Sequence, residues 1–251
     1  MSTLVLRSRH FCQQTIRCGY DSENGCRVNK SRSISVLSLL AFTAGSLDGT
    51  LFSLFDKAFA SIMTGNIILF GVAVASGSLQ QLVVLCGALA GYVFGVFVGA
   101  RIVRGYSDLF HLRRWPSRMV LSLSVTCILL IASLAFLAAF GEDTNALPFL
   151  FFLLALAMGI MATAVRRIGS SVSVTYLTGA ITQFWERLAT RAPLSESGLV
   201  SSVSVASLVL GAILGGVSSA YLGKLALGLP ILSVLVAILI IASVNIHAKN
   251  T

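Results

Sequence analysis

Long apolar runs alternate with short polar ones along this chain, and the lengths of the runs carry the first inference. Six windows, residues 34–55, 79–100, 119–140, 149–165, 198–221 and 226–246, are nearly free of charge. Each approaches the roughly twenty residues an α-helix needs to cross about 30 Å of hydrocarbon. Two further apolar stretches, 58–77 and 172–185, are interrupted by Thr-Gly pairs, in SIMTGNIIL (61–69) and TYLTGAIT (175–182). Glycine weakens a helix there, and a buried Asn or Thr must find hydrogen-bond partners.

The distribution of charge bears on whether these two stretches cross. If both do, there are eight spans and the 18 Lys and Arg residues divide evenly between the two faces. If neither does, there are six spans, and 16 of the 18 fall on the side of the N-terminus, leaving Lys57 and Lys224 opposite. The excess of Lys and Arg on cytoplasmic loops favours the second arrangement. The expected fold is therefore an all-α polytopic membrane bundle of six spans, both termini cytoplasmic, with each Thr-Gly segment a re-entrant or broken helix. Irregular backbone survives at membrane depth only when buried in protein or lining a wet cavity.

Thr64-Gly65 and Thr178-Gly179 stand 114 positions apart, and the same offset lays the span beginning near Val36 over the one beginning near Leu150. A stripe of small residues follows each pair: Gly87, Gly91, Gly95 and Gly99, then Ser207, Gly211, Gly215, Ser219 and Gly223, after a loop about six residues longer. Such stripes allow close helix approach, within the chain or between copies in a homo-oligomer. Each half (about 34–140 and 149–246) holds three spans, an odd number, so the halves form an inverted 3+3 repeat. The two Thr-Gly segments then enter from opposite faces and meet near the midplane, where transporters of this kind hold a solute.

Composition agrees: 56% of residues are hydrophobic, 11% are charged and the mean hydropathy is +0.91, values for a membrane protein. Residues 1–33 read as a basic, solvated cytoplasmic tail without the apolar core of a secretory signal, and 247–251 as a second, short tail. The net charge of +9 is scattered over membrane flanks without interleaved aromatics, a topology signal rather than a nucleic-acid surface. Five cysteines and three histidines match no zinc, redox or H-E-x-x-H spacing, and no nucleophile elbow, phosphate loop or dinucleotide fingerprint occurs. Neither an enzyme nor a metal or cofactor is expected.

Asp48, in AGSLDGTLF, is the one carboxylate well inside an expected span, and an ionisable group at that depth points to function. It would act as a solute or cation contact, or else tie down the amides of a broken helix. With it the candidate site comprises Thr64, Gly65, Asn66, Thr175, Tyr176, Thr178, Gly179 and Thr182. Arg166 and Arg167 close the span of ATAVRRIG as cytoplasmic anchors at a helix C-terminus, and Trp115 and Trp185 read as interfacial belt residues.

The stretch AGSLDGTLFSLFDKAFASIMTGNIILFG resembles the YoaK-like family, a domain-of-unknown-function group of multi-spanning membrane proteins. Its G-x-x-D and F-x-A-x-M-T-G-N pattern is matched by Gly45, Asp48, Phe59, Ser61, Met63, Thr64, Gly65 and Asn66, with one place of slack. A second block is matched by Gly159, Arg166 and Arg167, then Thr175, Tyr176, Thr178, Gly179 and Thr182. Where the family carries Gln-Asn this chain has Met161-Ala162, which removes polar groups from the second half. The resemblance implies a polytopic membrane protein and no particular solute. Two functions are compatible with these readings, a small-solute permease or channel-like protein in the plasma membrane or an organelle membrane, and a non-transporting scaffold.

Overall fold

The computed structural model of the chain describes residues 23–104, 115–141, 143, 145–168, 185, 189 and 196–247, and among these there is helix and turn but no strand. The helices are α1 (Glu23–Phe55), α2 (Met63–Ser76), α3 (Leu79–Ile102), α4 (Ser117–Phe140), α5 (Leu147–Ile168), α6 (Glu196–Leu222) and α7 (Gly228–His247). Among the described residues, five stretches are long and apolar enough to cross a membrane: 31–55, 79–102, 117–140, 147–167 and 200–243. The last is two helices, α6 and α7, joined through a 3-10 turn at Gly223–Leu227. All six expected windows are therefore helices, with ends moved by only a few residues apart from the start of the first. Helix α1 starts at Glu23, extending back into the segment read as tail.

The stretch 58–77 does not form a seventh long helix. Its helix, α2, has 14 residues, about 21 Å at 1.5 Å per residue, short of the roughly 30 Å of hydrocarbon. Gly77, at φ 68°, stops it by taking the left-handed conformation that returns its N–H to the carbonyls of Ala73 and Val74. Gly223, at φ 54°, is also left-handed where α6 ends and the turn into α7 begins. The stretch 172–185, with all five candidate residues of the second block, lies outside the described residues apart from Trp185.

Contacts at the helix ends fix which ends lie together. Asn245 near the end of α7 bonds the backbone of Trp115, just ahead of α4. Arg118 at the start of α4 bonds the carbonyl of Arg104 after α3. At the opposite end, a Cβ on Gly141 after α4 would lie 3.8 Å from Nζ of Lys224 after α6. Helix α4 is therefore antiparallel to α3, α6 and α7 reverse at that second end, and α5 starts there after a short loop.

Two parallel helix pairs dominate the packing. In α1/α6, a Cβ on Gly45 or Gly49 would run into the carbonyls of Leu208 and Ala212, and one on Gly211 or Gly215 into those of Phe42 and Ser46. In α3/α5, a Cβ on Gly87, Gly91 or Gly95 would meet the carbonyls of Pro148, Phe152 and Leu156, while Gly159 faces Tyr92 and Val96. Since residue numbers rise together on both members, each pair is parallel. The small-residue stripes are thus occupied inside the chain, which withdraws them as faces for a second copy. Gly223 drops out of the second stripe, because it belongs to a turn with nothing within 4 Å of its missing Cβ.

With α1 parallel to α6, and α3 to α5, α1 starts at the Trp115–Asn245 end and finishes at the other, where α3 starts. Helix α5 ends, and α6 starts, at the Trp115–Asn245 end. Between these pairs lies one core, with Leu37, Leu40, Leu47, Leu123, Phe151 and Leu154 fully or almost fully buried. Hydroxyls in the helices are satisfied locally, as where Thr43 donates to the carbonyl of Leu39 at 2.9 Å and Ser133 to that of Leu129 at 2.8 Å, the usual economy for Ser and Thr in a helix.

Candidate functional site

Asp48 is 4% exposed, two helical turns before the end of α1. Its carboxylate accepts the backbone N–H of Ala60 at 2.7 Å and of Ser61 at 3.0 Å, and the Ser61 hydroxyl donates to the other oxygen. These groups immediately precede α2, so the negative charge sits at that helix's positive end, where charge-assisted bonds are strongest. Seven residues separate Asp48 from Phe55, about 10 Å of helix. The chain therefore leaves the end of α1, turns at Asp56 in the left-handed region (φ 48°), and comes back along α1 before α2 begins.

Asn66 completes this arrangement from the other side. It is fully buried in the first turn of α2, where its Oδ1 accepts the N–H of Phe59 at 2.8 Å and its Nδ2 donates to the Phe59 carbonyl at 2.7 Å. Three consecutive residues, 59 to 61, are thus held by two side chains, one from each flanking helix. Gly65 suits the same closeness, because a Cβ there would come within 3.1–3.2 Å of the Phe59 ring and the Ile62 side chain, which would have to give way by a few tenths of an ångström. The Phe59 ring in turn stacks on Phe52 of α1, centroids 4.8 Å apart and 5° from parallel. Thr64 points outward and is exposed.

So Asp48, Gly65 and Asn66 come together around one loop, Thr64 stands at its edge, and Thr175, Tyr176, Thr178, Gly179 and Thr182 lie outside the described residues. Arg166 and Arg167 occupy the last turn of α5, as expected. Trp115 does not fit the reading as a belt residue: it is 2% exposed, because Asn245 draws its backbone into the bundle. Trp185 is exposed.

Sequence reasoning missed two polar links. Asn245 binds both the N–H and the carbonyl of Trp115, at 3.0 and 3.1 Å, the same two-point grip that Asn66 takes on Phe59. Its signal was an Asn in the last turn of an otherwise apolar helix. The second link joins Thr43 of α1 to Ser233 of α7, hydroxyl to hydroxyl, at 2.7 Å. Two further buried hydroxyls, Ser122 on α4 and Ser204 on α6, have no partner, a state in which few buried polar groups are left.

Chemically, the described part of the site is a set of hydrogen-bond donors and acceptors with one carboxylate. No group of three metal-ligating side chains occurs among the described residues. No solved structure matches the chain. The model of a family described as "Protein of unknown function (DUF1275)" matches residues 36–242. The UPF0700 transmembrane protein YoaK of Bacillus subtilis (strain 168) is 30% identical over 160 residues, which cover 62% of this chain and 68% of that one.

Proposed function

This chain belongs to the DUF1275 family of proteins of unknown function, an integral membrane family, and on that premise we propose that it is a small-solute permease or channel-like protein. The observation that carries this reading is the loop drawn back along α1 by Asp48, so that α2 starts about 10 Å inside the end of its neighbour. A segment that enters and leaves at one face is a re-entrant element, and backbone of that kind at membrane depth is kept where it is enclosed by protein or borders water.

An inverted 3+3 repeat is the second part of the proposal, supported by reciprocal packing. Helix α1 packs on α6 as α5 packs on α3, with Gly45 and Gly159, 114 positions apart, in equivalent places. Gly95 meets Leu156 where Gly211 meets Phe42, so the matching positions in the stripes are 116 apart. That register implies a loop two residues longer, rather than the six read from the sequence, one helical turn away. The Thr126 hydroxyl, 3.4 Å from the Ala157 carbonyl, corresponds to Ser233 against Thr43. In this reading both termini are cytoplasmic, since Arg32, Arg101, Arg104, Arg118, Arg166 and Arg167 lie at their end of the bundle and Lys57 and Lys224 at the other.

The solute site would combine Asp48, Thr64, Gly65 and Asn66 with Thr175, Tyr176, Thr178, Gly179 and Thr182. The test pairs flux with accessibility. Protein in liposomes is screened against ions and small polar metabolites, and a cysteine at position 64, on a background freed of the native cysteines, is exposed to a charged thiol reagent. Flux of at least one solute together with rapid labelling is expected. Absence of both removes the permease reading.

A non-transporting scaffold is the second reading, and one observation favours it. Every oxygen of Asp48, and both ends of the Asn66 amide, are already engaged by residues 59–61. The flux measurement separates the two, since a scaffold moves no solute whatever the reactivity of position 64.

A further inference from the structure

Basic side chains are not alike at the two ends of the bundle. Among the described residues, Lys57 and Lys224 stand at one end, whereas arginines dominate the other, with Lys30 its one described lysine, and four of these arginines, Arg101, Arg104, Arg118 and Arg166, are exposed on the ends of α3, α4 and α5. A topology signal is satisfied by lysine as well as by arginine, and needs no clustering. Arginine differs in presenting a planar fork of N–H donors that matches a phosphate.

These helix ends are neighbours. Arg118 donates to the carbonyl of Arg104 at 3.3 Å, joining the start of α4 to the end of α3. Gly99 of α3 packs on Ile160 and Thr163 of α5, so one further turn brings Arg104 level with the turn holding Arg166. None of the four arginines forms an ion pair among the described residues. Donors accumulate at the start of α4 as well: its N-cap is Pro116, no side chain caps it and no acid lies in its first turn. The indole N–H of Trp115, just before it, is buried without a partner.

Beneath the arginines the surface turns apolar. Arg101 lies over the Phe97 ring, 4.4 Å from its centroid. Phe97 and Val93, four and eight residues back on the same face of α3, are 54% and 68% exposed. Below Arg118 on α4, Leu121 and Ile128 are 53% and 64% exposed. Guanidinium groups above long apolar tracks, at the ends of membrane-length helices, match a molecule with an anionic phosphate head and hydrocarbon tails.

We propose that the α3–α4 end binds an anionic phospholipid, its phosphate held by Arg101, Arg104 and Arg118 and its acyl chains lying along Val93 and Phe97 and along Leu121 and Ile128. Arg166 on α5 contributes to the field that attracts it. The inference does not depend on whether a solute crosses the protein.

The experiment titrates the purified full-length chain in detergent micelles with phosphatidylglycerol, phosphatidylcholine or inorganic phosphate and reads the unfolding temperature, since a ligand of the folded state raises it. Phosphatidylglycerol alone should raise it at micromolar to millimolar lipid. The double variant Arg101→Gln/Arg118→Gln should bind it about thirty-fold more weakly, at about 1 kcal/mol per arginine and tenfold per 1.4 kcal/mol. Lys224→Gln, at the far end, should respond like the wild type. Equal shifts with phosphatidylcholine, a full shift with inorganic phosphate, or an unchanged shift in the double variant overturns the proposal. If that variant does not fold, native mass spectrometry of the wild type decides. Phosphatidylglycerol adducts that outlast phosphatidylcholine adducts under rising collision energy support the site, and equal loss overturns it.

Discussion

In the α1/α6 pair, glycines on both helices interlock, and polar side chains are buried along the same two helices: Thr43, Ser46, Asp48 and Thr50 on α1, Ser201, Ser204 and Ser219 on α6. In the α3/α5 pair the glycines lie mostly on α3 and the approach is as close, yet no polar side chain in the buried class is found on either helix. Phe151, Leu154, Met158 and Met161 fill the space instead. Small residues are thus sufficient to hold two membrane helices together, as van der Waals packing without a hydrophobic drive requires. The polarity of α1/α6 must answer to something else. Part of it answers to the loop at residues 59–61, and the unpartnered Ser204 hydroxyl shows that not all of it is used within the chain.

The strongest test of this contrast removes the carboxylate. Asp48→Ala strands the N–H groups of Ala60 and Ser61 and the Ser61 hydroxyl, at about 1–3 kcal/mol for each buried donor left unpaired. Thermal unfolding in detergent should show a loss of roughly 3–6 kcal/mol, with a marked fall in folded yield. Asp48→Asn retains an acceptor for the two amides and should lose less than half as much. A mild Asp48→Ala phenotype would mean that the loop is held by other means.

Next in size are the glycines, where the two pairs should behave alike. A methyl group at Gly45 presses on the Leu208 carbonyl and one at Gly95 on that of Leu156, and backbone cannot yield as a side chain does. Gly45→Ala and Gly95→Ala should each cost about 1–3 kcal/mol, the range for overpacking. A neutral Gly95→Ala would break the equivalence of the pairs and with it the main support for the repeat.

A smaller effect belongs to α1 and α7 alone. Thr43 and Ser233 share a hydrogen bond of 2.7 Å in a buried setting, and the position that the proposed repeat matches to Thr43 is Ala157 on α5, which offers only its carbonyl, at 3.4 Å from Thr126. A double-mutant cycle of Thr43→Val and Ser233→Ala should give a coupling of about 0.6 kcal/mol, the average for such bonds in membranes. Thr126→Val, by comparison, removes the longer contact and should change stability less than Thr43→Val. The reverse order would show that hydroxyl pairing is no distinguishing mark of the α1 side.

The spans were legible because twenty uncharged residues in a row have few other uses, and Asp48 because it is the lone acid within one. Its partners were not legible, since they are backbone amides of Ala60 and Ser61, which any residue except proline supplies. The alternative reading of Asp48, that it ties the amides of a broken helix, describes what its oxygens do. Trp115 was misread because an aromatic residue beside arginines suggests an interface, and only the grip of Asn245, 130 residues later, turns it inward. Under the proposed repeat, the stripe register moves by one turn from the sequence reading, because residues four apart are interchangeable in a pattern of small residues. Only contact with Phe42, Ser46 and Leu156 distinguishes them.

The smallest effect tests what α2 faces. Gly71 sits in the middle of α2 with nothing within 4 Å of the place its Cβ would take, and Ile67, Ile68, Val72 and Val74 around it are more than half exposed. Alanine there fills empty space and favours the helix, by about 0.8–1.0 kcal/mol on intrinsic propensity, so Gly71→Ala should be neutral or slightly stabilising. Gly65, six residues earlier, is crowded by Phe59 and Ile62, and Gly65→Ala should be destabilising instead. Opposite signs on one short helix would establish that its first turn is locked into the protein while its remaining length faces lipid. If Gly71→Ala were destabilising by more than about 1 kcal/mol, the overpacking range, that face would be covered by protein, and α2 would be a buried element rather than one at the rim.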